Sequence, residues 1–305
     1  MQQETTKTPP YSSVNSTAAE RTRLSDFYEL TKPRLSFLSV LTAIIGYLAA
    51  SPARDSFVLA TFLAGAAFAA GGAAALNQWL EREADAKMAR TRTRPIPAGR
   101  MPPARALLFG MFLSGTGCGL LYFGTHPLAG MLAAATVASY VLLYTPLKSI
   151  TPWNTVIGAL PGALPPLIGW AAAEGEITLL GWLLFAILFF WQLPHFFAIA
   201  WTYRHDYEQG GFKMLACKDA DGKEVATHAF GYCLALVCAS LLPVLFGYAE
   251  WLYGSVALAL GAYMLRPAYA FLRADQRNAP ARRLFFASLF YLPALLITLL
   301  LDLWF

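Results

Sequence analysis

Charge is scarce in this chain. Asp, Glu, Lys and Arg together make 13% of its 305 residues, against about 25% in soluble domains. The hydrophobic share is 57% and the mean hydropathy +0.48. That much oil cannot be hidden in one water-soluble core, so the bilayer is the expected solvent. Cysteine is scarce too: Cys118, Cys217, Cys233 and Cys238 form no CxxC pair and no metal-binding spacing. This excludes a disulfide framework and leaves them as small apolar packing residues. A signal peptide is lacking as well, because residues 1–22 are rich in Thr, Ser, Gln and Pro and hold no apolar run. The expectation is a disordered cytoplasmic tail over residues 1–23, ahead of one intramembrane unit over 24–305. The stretch LSDFYELTKPR, residues 24–34, mixes apolar and charged side chains and suits a short helix at the membrane surface.

Long apolar runs are what the chain does have. Nine can cross a bilayer: 35–51, 57–80, 105–124, 128–146, 154–172, 178–202, 228–248, 251–272 and 284–303. The fold class is therefore all-α, a polytopic membrane protein of about nine transmembrane helices. With the N-terminus in the cytoplasm, 22 of the 23 Lys and Arg residues fall on the inner side and only Arg54 on the outer. This is the positive-inside bias, and it predicts an outer C-terminus. The net charge of +5 suits an anionic leaflet and needs no nucleic-acid partner. A faint repeat with a four-span period is visible, in that spans 2 and 6 both end in a polar inner loop. Chance similarity accounts for it equally well.

The polar loop after span 2 reads NQWLEREADAKMARTRTRPIPAGR, residues 77–100. Asn77, Glu81 and Asp85 are spaced i, i+4, i+8 and share one helix face. Such a file makes a poor lipid face and a good ledge for Mg²⁺, which prefers oxygen ligands and joins one or two carboxylates to phosphates. Arg90, Arg92 and Arg94 follow, and guanidinium forks suit phosphate oxygens. Acid followed by base is the order expected if magnesium and arginine grip a diphosphate together. The alternative is a solvated helix end with local i,i+4 ion pairs and ordinary topology arginines. Against it, Asn77 lies inside the apolar run, where a polar group is expensive.

The loop after span 6 begins within the membrane, as WQLPHFFAIAWTYRHDYEQGGFKML, residues 191–215. Gln192 and His195 lie in the span, and Arg204, His205 and Asp206 at its inner end. His195, Thr202 and Asp206 fall near one face if the helix runs on. His195 is either a hydrogen-bonded bundle residue or a cavity residue facing a polar or metal-bearing ligand; His205 reads as a surface residue. Lys148, after Tyr144-Thr-Pro146, is a topology anchor or a grip on the same anion. Gly158, Gly162 and Gly169 in span 5 allow close helix packing or leave room for a flat ligand.

With these residues in place, the chain resembles the intramembrane prenyltransferase superfamily typified by 4-hydroxybenzoate prenyltransferases, and within it the heme O synthase (protoheme IX farnesyltransferase) family. The likeness is carried by LTKPRL (30–35), the 77–100 loop, YTPLKSITPWNTVIGALPGALPPLIGW (144–170) and the 191–215 loop. It implies a helical bundle around a central cavity in the cell's inner membrane, farnesyl diphosphate as donor, heme b as acceptor and Mg²⁺ as cofactor. It also links the chain to heme A synthase or terminal-oxidase assembly proteins. Carried over by position, Asn77, Glu81 and Asp85 form the first magnesium–diphosphate motif, with Glu81 in place of the commoner Asp. Asp206 matches the second acidic motif and becomes a fourth metal ligand. The family's further Asp four residues earlier is here Thr202, which weakens that second site. Lys148 joins the catalytic set, Arg34, Arg90, Arg94, Arg204 and Tyr144 become substrate-binding residues, and His195 is placed near the heme. Trp191, Phe196, Trp201 and Tyr144 are candidates to steady a cation. Two rivals remain open, a prenyltransferase for a quinone-precursor ring and a membrane transporter.

Overall fold

The computed structural model describes residues 23–50 and 55–305. The expected tail up to residue 22, and Arg54, lie outside the described residues. In chain order the helices are α1 (Leu24–Leu30), α2 (Pro33–Ala50), α3 (Ser56–Leu80), α4 (Arg82–Lys87), α5 (Pro103–Gly124), α6 (Pro127–Ala138), α7 (Thr145–Leu147), α8 (Asn154–Ala163), α9 (Pro165–Glu174), α10 (Leu179–Thr202), α11 (Arg204–Gln209), α12 (Leu215–Lys218), α13 (Lys223–Leu245), α14 (Trp251–Arg273) and α15 (Asn278–Trp304). A π-helical segment, Ser139–Tyr144, joins α6 to α7.

Among the described residues, nine spans are long and apolar enough to cross a membrane. They are α2, α3, α5, α6 to α7, α8 to α9, α10, α13, α14 and α15. The number matches the apolar runs of the sequence. The boundaries differ most at α13 and α15, which start five and six residues before the apolar runs at 228 and 284. Their first turns are polar, and polar residues continue a helix beyond the hydrocarbon. Starts follow local chemistry: Asp55 caps α3 by accepting from the Phe57 and Val58 amides. Pro33, Pro103 and Pro127 open α2, α5 and α6, where the missing amide hydrogen costs nothing.

Two large apolar clusters hold the bundle. One joins α10, α13, α14 and α15; the other joins α2, α3, α6 and α9. A small third cluster of Leu30, Ala75, Ile96, Met101 and Ala106 ties α1 and the 88–102 loop to α3 and α5. The α2–α9 crossing is a backbone contact: a Cβ on Gly46 would lie 2.0 Å from the Pro166 carbonyl oxygen, and one on Gly169 1.9 Å from that of Ala43. Without lipid-water contrast between helices, such close packing is what joins them. The other span-5 glycines are also filled by neighbours, Gly158 by the Tyr144 ring and Gly162 by the Gln192 amide. The close-packing reading of these glycines therefore describes the structure.

Candidate active site

The last turns of α3 carry the oxygen file to the end of the bundle. The chain bends at Glu81 (φ −86°, ψ 3°), yet the helical bonds run through, from Glu81 N to Asn77 O (2.9 Å) and from Asp85 N to Glu81 O (2.8 Å). Asn77, Glu81 and Asp85 therefore stay on one face, and all three are buried. Each carboxylate or amide meets a basic side chain from another segment. The Lys32 ammonium donates to Asn77 Oδ1 (2.6 Å), Lys148 to Glu81 Oε1 (2.6 Å), and the Arg94 guanidinium to Asp85 Oδ2 (2.6 Å). These partners lie 45, 67 and 9 residues away in sequence. A solvated helix end with local i,i+4 pairs does not describe such a file. The second carboxylate oxygen of Asp85, Oδ1, is buried without any hydrogen-bond partner, a costly state unless a ligand completes it.

Local backbone features deliver the bases. Lys32 follows the end of α1 at φ 46°, the one positive φ at a non-glycine among the described residues, a conformation that few side chains adopt without support. Its bond to Asn77 and the donation of Gln78 Nε2 to the Glu29 and Leu30 carbonyls supply that support. The π-helical turn brings Thr145 Oγ1 to the Asn77 amide (3.1 Å), while the same hydroxyl donates to the Tyr140 carbonyl (2.8 Å). Lys148 sits 4.5 Å above the Tyr144 ring, and its own carbonyl accepts from the Lys213 amide (2.7 Å), so the second loop holds it in place. Helix α1, expected at the membrane surface, is strapped to the first loop: Arg100 pairs with Asp26 and with Glu29.

Charge follows from this packing. Burial raises the cost of ionising Glu81, but Lys148 and Lys32 outweigh it and hold its carboxyl below the usual range. Lys148 is likewise buried, and the Glu81 carboxylate keeps its ammonium well above the ordinary value. Lys32 is the reverse case. Burial first, then the charge of Arg94, bring it down to about 7, with Glu81 offsetting only part.

Lys32, Arg34, Arg90 and Arg94, with Tyr28 and Glu29, line an open cleft of about 410 Å³ beside the file. Arg90 also bridges the two loops, its guanidinium lying 5.1 Å from the Tyr203 ring and 5.6 Å from Tyr207. Asp206 lies between those tyrosines on α11, half-buried, with no hydrogen bond to its side chain among the described residues. The path from His195 through Thr202 to Asp206 crosses a single-residue break between α10 and α11 at Tyr203 (φ −109°, ψ 22°), and here too the helical bonds run through, from Tyr203 N to Ile199 O (2.9 Å) and from Tyr207 N to Tyr203 O (3.1 Å). Arg204 does not reach the cleft. It stacks on Trp201 at 4.2 Å and donates to the Trp201 carbonyl and to Asn278 Oδ1. His205 is exposed. His195 is buried in α10 against Ser288 of α15, away from the carboxylates. Lys32 and Thr145 were not singled out from the sequence. The buried polar Asn77 in an apolar run was the signal that partners must exist for it.

The donor set fits a hard divalent cation. Asn77, Glu81 and Asp85 offer oxygen, and Asp85 Oδ1 is an orphaned acceptor. Among the described residues no three acidic, His or Cys side chains converge into a closed metal cage.

The comparisons with known proteins agree in fold and extent. Residues 39–290 match the UbiA prenyltransferase family model. The chain is 49% identical to a protein of Opitutus terrae named protoheme IX farnesyltransferase, covering 95% of this chain and 98% of that one. It is 43% identical to one of Solibacter usitatus with the same name, over 92% and 99%. Among solved structures, a digeranylgeranylglyceryl phosphate synthase superposes with a TM-score of 0.78 at 17% identity, covering 92% of this chain and 98% of the other. A UbiA homologue from Archaeoglobus fulgidus bound to GPP and Mg²⁺ superposes with a TM-score of 0.62 at 12% identity, over 90% and 99%. A family model that runs through seven complete spans and into the first and the ninth, together with relatives alike over most of their length, makes this chain a multi-pass membrane protein that belongs to the UbiA prenyltransferase family.

Proposed function

We propose that this chain transfers the farnesyl group of farnesyl diphosphate to a vinyl group of protoheme IX, heme b, and so makes heme O. The reaction class is supported chiefly by one observation: Asp85 is fully buried with an unpartnered carboxylate oxygen, amid Arg94, Lys148 and Lys32. The acceptor is supported by relatives at 40–49% identity over most of the chain that carry the farnesyltransferase name. The proposal places the enzyme in the cell's inner membrane, with both polar loops and the N-terminus cytoplasmic, the C-terminus outside, and terminal-oxidase assembly as the use of the product.

In this reading Asn77, Glu81, Asp85 and Asp206 hold Mg²⁺, which supplies positive charge to the diphosphate. Lys32, Arg34, Arg90 and Arg94 face the same cleft and stabilise negative charge as it gathers on the leaving group. Lys148, fixed by Glu81 and the Lys213 amide, adds its charge beside Glu81. The bond from C1 of the farnesyl chain to its oxygen weakens, and the allylic cation must be kept from bulk water. Tyr144, beneath Lys148, and Trp191, Phe196 and Trp201 are aromatic groups of the kind that steady such a cation. The heme vinyl carbon attacks C1. The resulting cation beside the porphyrin takes up one water and loses a proton, leaving a hydroxyethylfarnesyl arm. Arg204 enters this scheme only by leaving Trp201 and Asn278, on which its guanidinium rests.

The test is direct. Membranes holding the chain are incubated with radiolabelled farnesyl diphosphate, Mg²⁺ and either heme or 4-hydroxybenzoate, and the hemes are extracted and weighed. A heme heavier by one farnesyl group and one hydroxyl is expected, with magnesium-dependent release of diphosphate. Label on the benzoate ring instead would move the chain to the quinone branch, and absence of diphosphate release would return it to the transporter reading.

A further inference from the structure

His195 is a buried polar residue that the diphosphate chemistry does not use. It is 8% exposed and lies seven residues before the end of α10, about 10 Å of helix below the mouth. Its Nδ1 is 2.7 Å from Ser288 Oγ of α15. That hydroxyl is also 2.6 Å from the Phe285 carbonyl oxygen. A carbonyl can only accept, so the single serine proton is directed there, and the serine oxygen must accept from the ring. Nδ1 therefore carries the imidazole proton, and Nε2 is left as a bare lone pair.

Nothing among the described residues answers that lone pair, and Nε2 is not one of the fully enclosed unpartnered atoms, so it keeps an open side. The ring is held by Trp191, stacked at 5.0 Å, and by Phe285 at 5.0 Å. The Trp191 indole nitrogen donates to the Ser288 carbonyl (2.8 Å), which pins the same pair of helices. On α10, His195 falls about 40° from Trp191 and about 60° from Gln192, between them. Trp191 faces α15, and Gln192 faces α8 through the Ala159 carbonyl. His195 thus lies on α10 between its side facing α15 and its side facing α8. A lone pair in a dry interior with no donor is expensive. A histidine whose other nitrogen donates to an oxygen is the usual arrangement of a metal-ligating imidazole.

We propose that His195 binds the porphyrin acceptor through its iron, with Nε2 as axial ligand and Ser288 holding the ring in the required tautomer. This rests on the heme reading above. The Nε2 electron pair forms the iron–nitrogen bond at an open or water-held axial position; no proton moves and the iron keeps its oxidation state. Iron ligation, together with the stacked Trp191, places the macrocycle below the mouth, so that the donor enters from the cytoplasmic rim and the acceptor from the bilayer interior.

The experiment titrates purified full-length protein with hemin and with metal-free protoporphyrin IX, following optical and electron-paramagnetic spectra, with farnesyl transfer measured in parallel. Wild type is expected to show a histidine-ligated heme spectrum. His195→Gly should lose it and bind heme about 10–100-fold more weakly, while metal-free protoporphyrin binds both proteins alike. Added imidazole should restore the spectrum. Ser288→Ala should weaken heme about tenfold without touching metal-free porphyrin. A wild-type heme spectrum in His195→Gly overturns the proposal. If that variant does not fold, His195→Met decides: a changed ligand signature supports ligation, and an unchanged spectrum overturns it. A wild type that farnesylates heme while its spectrum ignores residue 195 sinks the ligation and leaves the transfer reading standing. A wild type that ligates heme through His195 and transfers nothing does the reverse.

Discussion

The two polar loops start from similar sequence and end in different states. In the first, every residue of the file is buried and paired with a base, Asn77 and Glu81 with lysines from distant segments and Asp85 with Arg94 of the same loop. In the second, Asp206 is half-buried with no hydrogen bond to its side chain among the described residues, His205 is exposed, and Arg204 is held on Trp201 and Asn278. The first loop therefore carries buried charge that only close pairing offsets. The second carries little such cost. Preorganised charge is what lowers a barrier without reorganisation during the reaction. On the proposed function, the larger share of catalysis falls to the first loop and a completing share to the second.

The contrast can be broken by experiment, beginning with Asp85→Asn. An amide can still accept from Arg94, so the protein should fold, while farnesyl transfer falls by about 10²–10³-fold or more; transfer at the wild-type rate would remove the first loop from the chemistry. Lys148→Met should show mainly in stability. It strands the buried Glu81, and breaking a buried pair costs about 3–5 kcal/mol, read as a lowered thermal midpoint in detergent that Glu81→Gln in the same chain partly restores. Asp206→Asn should cost only about tenfold in rate, the scale of a supporting residue. Equal losses at positions 85 and 206 would erase the distinction between the loops. Arg204→Ala should do least, about twofold in the donor KM, with a stability loss of about 1 kcal/mol from the lost stack on Trp201. A tenfold rise in donor KM would instead show that Arg204 swings into the cleft during turnover.

The spans were legible because length and composition decide whether a segment crosses a bilayer, and both are local. The file of Asn77, Glu81 and Asp85 was legible for the same reason, since its spacing needs only a helix that runs on, and it does. The line from His195 to Asp206 needed the same continuity, and the helical bonds run on through Tyr203 as they do through Glu81. Arg204 was expected in the cleft by its place beside Asp206, but its orientation is set by Asn278, a residue 74 positions away. Lys32 was hidden in plain view within LTKPRL. Its role depends on a positive φ and on a partner 45 residues on, neither of which periodicity records. The π-helical turn that presents Thr145 is equally invisible, because Ser139–Tyr144 has the same apolar pattern as an ordinary helix.

The contact between Gly46 and Pro166 bears on how the protein is made. The first span leaves the ribosome some 120 residues before its seat in the fifth span exists, which at ordinary elongation rates of about 5–20 residues per second is about 6–24 s. During that interval its glycine notch faces lipid, available to any small-residue helix that passes. Biogenesis must therefore shield or retain this segment until the middle of the chain is inserted, and a bulky residue at either glycine would be felt first as a failure of insertion, before any loss of turnover could be measured.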